Sequence, residues 1–382
     1  SGAKLLQMRR TRAGLEAVAA SRVDLVAEDG GGTSDGYIAA LSEAIRSSVA
    51  SGGFTGHRCV LSIDDGWVKH RSIRQPRMTD DERDGAVAIE GPQRLGFTEE
   101  SPGEVGWTVG GAVRESDAVR DEVILVGASR DVLEKLVFAV ARTGLRPLAV
   151  EPGFMSLARS MTHRLRRTSD KDVLSVLVDV GYRHTGVVLT RGRRVVFYKP
   201  LEFGGERLTD HVSTRMGIDR ETVADLRTRR MQCGAGGMES DEIDPRVDRA
   251  MFDAMRPLMD ELAQEIALCL RYYSVTFRGA KPERCVVVGG EACEPHIAEV
   301  IEKVTRTSTV VGDPLSGISV DRVTGYGHNR RLPWAAWAVA SGLALRQMES
   351  PRVLGLGRGY GRDRVARLRR SSGAASLDRE AA

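Results

Sequence analysis

Apolar positions along this chain fall into short blocks whose spacing switches between the two-residue alternation of strands and the three-to-four-residue recurrence of helices. Ala3 to Met8 reads as the end of a strand. A polar Gly-rich patch at Gly30–Gly36 leads to an amphipathic helix over about Tyr37–Val49, a turn cluster at Ser51–Gly56 and a buried strand at Cys59–Ile63. From Trp67 to about Arg146 the character changes. Strand-like pieces (Val68–Ile73, Glu104–Val113, Glu122–Ala128) surround helix patterns at Asp80–Gln93 and Asp131–Thr143, which predicts a small α+β module inserted into a larger fold.

A charged bridge, His163–Lys171, then leads into Val173–Asp179, a near-continuous apolar run of the kind found in a sheet covered on both faces. Thr185–Thr190 and Val195–Lys199, separated by a turn at Arg191–Arg193, predict a β-meander. Helical periodicity dominates Gly205–Met216, Glu221–Met231 and Pro245–Phe277. Arg284–Val288 reads as a strand ending in Gly-Gly, Ala292–Lys303 as a helix, and Leu332–Met348 as the last ordered helix. The remainder is Gly/Arg-rich and is expected to be a disordered basic tail.

Composition narrows the function classes. A chain of 382 residues, 41% apolar and 28% charged, has room for two medium domains with their own cores. Its net charge of +4 is small, and the tail carries it: eight Arg (352, 358, 362, 364, 367, 369, 370, 379) stand there against Asp363, Asp378 and Glu380. The rest is close to neutral, so nucleic-acid binding is not expected. Five Cys without a CxxC pair read as reduced, mostly buried thiols of a cytoplasmic protein. Seven His without HxxxH or HExxH spacing give no metal signature. The longest apolar run, Trp334 to Leu345, is far shorter than the roughly 20 residues that cross a bilayer, so no transmembrane segment and no signal peptide are expected. Trp334 and Trp337 read as packing rather than a stacking platform.

Three glycine-bearing junctions carry the candidate chemistry. Asp179-Val180-Gly181 closes an apolar strand; a carboxylate there can hold Mg²⁺ or its waters, although Asp and Gly are also ordinary hairpin-turn residues. Gly204-Gly205 opens a helix and can present backbone N–H groups to a phosphate, or be a plain helix cap. Gly289-Gly290 joins strand to helix, where bare backbone admits a flat ring or sugar, or merely close packing.

The order and spacing of these junctions resemble the actin/sugar-kinase/Hsp70 superfamily, and within it the PilM family. The resemblance runs through Val178-Asp179-Val180-Gly181, Leu201-Glu202-Phe203-Gly204-Gly205-Glu206-Arg207-Leu208-Thr209, Ala263-Gln264-Glu265-Ile266 with Tyr272-Tyr273, and Asp313-Pro314-Leu315. It continues in Gly144-Leu145-Arg146-Pro147, Glu151-Pro152-Gly153-Phe154, Leu157-Ala158-Arg159 and Ala338–Arg346, covering most of residues 1–346 in order.

This likeness implies an α/β fold of the actin-like ATPase type, with duplicated ribonuclease-H-like domains and an FtsA-type α+β subdomain inserted. The boundaries it implies are 1–66, the insertion at 67–146, a return at 147–170, the second domain at 171–332, a crossing helix at 333–349 and the tail at 350–382. ATP and Mg²⁺ are the implied cofactors. Ser1, Gly2 and Lys4 would end the first phosphate loop, Asp179, Gly181 and Thr185 would form the second, and Asp179 would hold Mg²⁺. Gly204, Gly205, Gly289 and Gly290 would contact sugar and adenine. Asp225 and Arg227 stand in for the family's Ala-Glu-x-x-Lys near the nucleotide lid, as Ala224-Asp225-Leu226-Arg227. Gly153–Ser160 and Ala335–Arg346 would be helices crossing between the domains. Tyr182, Arg183 and His184 depart from the small residues usual after the second Asp-x-Gly; they would crowd the phosphate space, or Arg183 would pair with phosphate oxygens. Glu151 is the single candidate for a water-activating base, its alternative being a charge at a helix N-terminus.

The implied function is a cytoplasmic scaffold, peripheral on the inner face of the membrane, in a type IV pilus or type II secretion-like machine. It would take the N-terminal cytoplasmic peptide of a PilN-like bitopic protein in a groove formed with the extra subdomain. Contact with the pilus assembly ATPase and a homo-oligomer fit the same picture. The alternatives are an FtsA-like cell-division tether, which the poorly amphipathic Arg362–Arg370 disfavours, and a small-molecule kinase, for which no acceptor-facing Asp stands out.

Overall fold

The computed structural model describes residues 2–25, 35–115, 118–234, 243–277, 281–324, 334–346 and 348. Ser1, the basic tail and most of the Gly-rich patch lie outside them. The chain divides into two compact units: Ser1–Ser156 with Gly317–His328 and Val339–Ala382, and Leu157–Ser316 with Asn329–Ala338. Two of its crossings from one to the other fall inside helix α4 (Gly153–Thr162) and at the start of helix α9 (Ala338–Arg346), and another falls between Ser316 and Gly317.

In the first unit, strands β1 (Gly2–Thr11) and β2 (Gly14–Asp24) form an antiparallel hairpin, with the two-residue strand β13 (Ile318–Ser319) parallel to β2. Helix α1 (Asp35–Ser51) follows, then β3 (Arg58–Ile63), parallel to β7 (Arg146–Pro152). Between β3 and β7 lies the inserted module. Strands β4 (Val68–Pro76), β5 (Gly103–Glu115) and β6 (Ala118–Ser129) pair in the order β4-β6-β5. Helix α2 (Asp80–Arg94) starts on a capping box in which Thr79 and Glu82 satisfy each other's backbone N–H groups. It buries Val87 against Val105, Trp107, Val123 and Leu125. Within this core Arg83 is buried and donates to Asp121 at 2.6 Å and Gln75 at 3.1 Å. Helix α3 (Arg130–Ala141) packs beside α1 over β3 and β7.

The second unit is built on a five-stranded sheet. Strands β8 (Leu174–Val180), β9 (Thr185–Arg191) and β10 (Arg194–Leu201) form an antiparallel meander. Strands β11 (Arg284–Val288) and β12 (Thr309–Val311) extend it on the other side of β8 in parallel, giving the order β10-β9-β8-β11-β12. Helices α5 (Gly205–Met216), α6 (Arg220–Gly234), the 33-residue α7 (Pro245–Phe277) and α8 (Ile297–Thr305) complete the unit. Met251, Met255 and Met259 recur every four residues on α7, and all are buried with Leu258, Leu262 and Ile266 against β8 and β9 side chains.

Most predicted elements appear within a few residues of their expected limits. Strand β2 was not predicted: its Ala17, Ala19 and Ala20 have weak strand preference, and pairing with β1 together with burial holds them extended. The predicted helix at Ala292 begins only at Ile297. Pro295 disfavours helix at the preceding residue, and His296 takes a left-handed conformation (φ 68°) at the cap.

Burial raises the thiols of Cys269 and Cys293 to about 11 and that of Cys285 to about 12, so all three are neutral at pH 7. Leu189, in the middle of β9, is wholly buried. Leu189→Ala should cost about 2–5 kcal/mol, read as a lowered denaturant midpoint of the second unit.

Candidate functional site

Strand β8 carries Asp179 near its C-terminal end, half-buried, and then turns tightly, with Gly181 N–H donating to the His184 carbonyl at 3.0 Å. The start of α5 is sewn to that turn. Gly205 N–H donates to the Gly181 carbonyl at 3.1 Å and Glu206 N–H to the Tyr182 carbonyl at 2.8 Å. The bend after β11 joins the same spot, because Glu291 N–H donates to the Val180 carbonyl at 3.0 Å. Three bends far apart in sequence therefore meet at the C-terminal end of one central strand.

The glycines do different work from one another. A Cβ on Gly204 would collide with the Tyr182 carbonyl, and one on Gly205 with the Glu291 carboxylate. Gly289, at φ +106°, would drive a Cβ into Asp179 and Val180. These three are small so that the bends can touch. Gly290 differs, since a Cβ there meets nothing within 4 Å and its face is open.

A buried ion cluster clamps the bends from α6. Arg227 directs all its guanidinium nitrogens at protein acceptors: Nε to Glu294 (3.0 Å), Nη1 to the Gly205 carbonyl (2.9 Å) and Thr209 (3.1 Å), and Nη2 to Glu291 (2.7 Å) and Glu294 (2.8 Å). Arg230, one turn along, donates Nε to Glu294 at 3.1 Å and Nη1 to the Asp248 carbonyl at 2.7 Å. Burial alone would lower the Arg227 pKa, yet the Glu294 and Glu291 carboxylates hold it above the usual value. The guanidinium is charged at every working pH, and the pairs are satisfied rather than merely close.

Several expected site residues are placed otherwise. Asp225 points away from Arg227 on the exposed side of α6 and pairs with Arg229 at 2.7 Å, because residues two apart on a helix do not share a face. Arg227 has its donors engaged within the protein. Thr185 is fully buried and donates its hydroxyl to the Phe203 carbonyl at 2.8 Å. The departures at 182–184 lie outward: Tyr182 accepts from Arg220 at 3.1 Å, and Arg183 lies 3.8 Å from Glu206.

In the first unit, Gly2 and Lys4 stand at the start of β1 opposite Asp24 and Arg22. Glu151 ends β7 rather than opening a helix, is buried, and accepts from Ser156 of α4 and Arg346 of α9. Gly342 of α9 lies where any Cβ would strike the Ser156 backbone. Glu151 is thus held from two sides, by a hydroxyl of α4 and a guanidinium of α9. Its role in this geometry is to join β7, α4 and α9.

Sequence reasoning overlooked Glu291, Glu294 and Arg230. A signal existed, because Arg227 and Arg230 share a helix face and Glu291 directly follows the Gly-Gly bend. Among the described residues no group of three or more His, Cys, Asp or Glu could hold a metal. Mg²⁺ commonly needs only one or two carboxylates when phosphates supply the remaining ligands, so Asp179 fits that class and the open face at Gly290 fits a sugar or ring. The first amides of α5 do not fit a phosphate, being spent on Gly181 and Tyr182.

A family model described as type IV pilus assembly protein PilM matches residues 15–348. The chain belongs to the PilM family. Among solved structures, the PilM–PilN type IV pilus biogenesis complex is similar at 19% identity with a TM-score of 0.73, over 92% of this chain and 96% of that one. The ethanolamine utilization protein EutJ from Carboxydothermus hydrogenoformans matches 56% of this chain and 61% of its own at 16% identity and a TM-score of 0.39. An archaeal actin homologue, Ta0583, in complex with ADP, matches 54% and 59% at 14% identity and a TM-score of 0.37. The actin-like α/β fold expected of a PilM family member is thus present, and no described helix is long and apolar enough to cross a membrane.

The clamp makes a paired prediction for this PilM family member. Arg227→Ala leaves Glu291 and Glu294 buried without their cation and should cost about 3–5 kcal/mol, whereas Asp225→Ala should stay within about 0.5 kcal/mol. Thermal unfolding of the two variants checks the contrast; equal effects would contradict it.

Proposed function

We propose that this PilM family chain is a cytoplasmic scaffold, peripheral at the inner face of the membrane, that docks the N-terminal cytoplasmic segment of a PilN-like bitopic partner within the first unit. The observation that carries this is an apolar pocket where the inserted module meets the β3–β7 pair. Ile63, Val68, Val126, Ala128, Leu133 and Val150 line it. A lining of this kind suits a hydrophobic side chain of a docked peptide better than a polar metabolite, which favours the scaffold over a kinase.

The same proposal includes Mg-ATP bound at the bends of the second unit, with Asp179 facing the metal and Gly290 the sugar or base. Arg227, Thr185 and the first amides of α5 act by holding those bends in place. Bound ATP would supply a rigidifying ligand; no water-activating residue is assigned, and Glu151 is not one.

Two measurements test the two halves separately. A peptide from the N-terminus of the neighbouring bitopic protein should bind with micromolar or better affinity, and Val68→Glu should weaken it at least about tenfold; no binding to the parent chain overturns the docking role. Calorimetric titration with Mg-ATP should show an affinity that Asp179→Ala removes. An unchanged affinity in that variant, or none in the parent, overturns the nucleotide site and leaves docking untouched.

A further inference from the structure

One face of helix α7 starts polar and ends bare. Glu261, Glu265, Leu268, Tyr272 and Val275 recur at alternating steps of four and three, so they form one row along the helix. The first two are closed off within the second unit. Glu261 accepts two hydrogen bonds from Arg207 of α5, both 2.8 Å, and Glu265 lies 3.5 Å from Lys199 of β10. The last three are uncovered: Leu268 is 43% exposed, Tyr272 49% and Val275 75%. Phe197 of β10 extends the patch, its ring centred 5.8 Å from that of Tyr272. Elsewhere among the described residues, exposed large apolar side chains stand singly or as the pair Val310–Val311. Scattered ones are ordinary on a protein surface, whereas a row marks a contact.

The rim of this patch is cationic. Arg194 opens β10 and Arg271 precedes Tyr272; both are exposed, and neither has an ion pair among the described residues. The contacts Lys199–Glu265 and Phe197–Tyr272 show β10 and α7 running in opposite directions, which brings Arg194 toward the Val275 end. Three covers that suit other apolar patches meet an obstacle here. A further strand beside β10 is discouraged by Pro200, by the irregularity between Val195 and Phe197, and by the charges of Arg194 and Lys199. A second copy would set the same guanidinium groups against each other, with Glu261 and Glu265 already paired. A partner helix needs a groove to lie in, yet a valine three-quarters exposed stands proud of its surroundings. What remains is a broad, negatively charged surface with an apolar interior. Tyrosine and phenylalanine favour the boundary of a bilayer, and arginine matches its phosphates.

We infer that the end of α7, with Arg194 and Phe197 of β10, lies directly on an anionic phospholipid surface. Leu268, Tyr272, Val275 and Phe197 enter the boundary between headgroups and acyl chains, and Arg194 and Arg271 meet lipid phosphates. Such contact rests on the peripheral placement proposed above, and it gives the second unit a hold on the membrane that needs no protein partner.

Co-sedimentation of the full chain with phosphatidylglycerol-rich vesicles, and with phosphatidylcholine vesicles as the neutral reference, tests this without any partner present. At low salt the parent should bind the anionic vesicles at least about tenfold better than the neutral ones, and about 1 M salt should remove most of that difference. Val275→Asp and Arg271→Glu should each weaken the binding at least about tenfold. Both alter exposed side chains, so both variants should keep the parent's thermal midpoint. Ile89→Asp, at the most exposed apolar side chain described in the first unit, should leave binding unchanged. No sedimentation of the parent with anionic vesicles overturns the inference and leaves the row to an acidic protein surface. Binding that survives both Val275→Asp and Arg271→Glu also overturns it, because the lipid is then held elsewhere, as at the basic tail. Either failure leaves the peptide and Mg-ATP titrations above to decide their own sites, since neither uses this face.

Discussion

Two arginines and two glutamates, buried together, hold the second unit's bends in register. Removing a charge from water costs several kcal/mol, and the cost is offset only where each charge is met by a partner of good geometry. Arg227 meets this condition with all three guanidinium nitrogens, and Glu294 is held between it and Arg230, with Glu291 next to the first bend. The cluster also uses the Gly205 carbonyl, so the position of α6 fixes the start of α5. With α5 fixed, its first two amides fix the turn after β8, and the turn presents Asp179. Local order in this region therefore depends on charges that never reach the surface.

A cluster of this kind changes the meaning of the glycines. Read along the chain, Gly-Gly before a helix suggests open backbone for a ligand. In the fold, Gly204, Gly205 and Gly289 give up their side chains to a carbonyl, a carboxylate and a neighbouring strand, and Gly290 alone faces open space. Close packing and ligand approach demand the same residue type, and only neighbours in space separate them.

Much of the fold was legible because its strands and helices are long and regular. The run Leu174–Val180 is too apolar to be anything but a buried strand, and the limits of α5, α7 and β11 follow directly from capping glycine, proline and charge. Strand β2 was not legible, since alanines carry little strand preference until a partner pairs with them. The candidate site was readable only in outline. The bends were found, but Asp225 and Arg227, adjacent on paper, fall on opposite sides of α6, and Glu151 belongs to the end of a strand. The salt-bridge partners Glu291 and Glu294 come from a segment more than sixty residues away, beyond the reach of any local pattern.

The buried thiols have a use beyond packing. With Cys269 and Cys285 buried and held neutral in the second unit, a thiolate-seeking reagent finds them only when that part of the chain opens. Alkylation at these positions thus records how often the unit breathes, so the native molecule carries its own gauge of local opening without any added label.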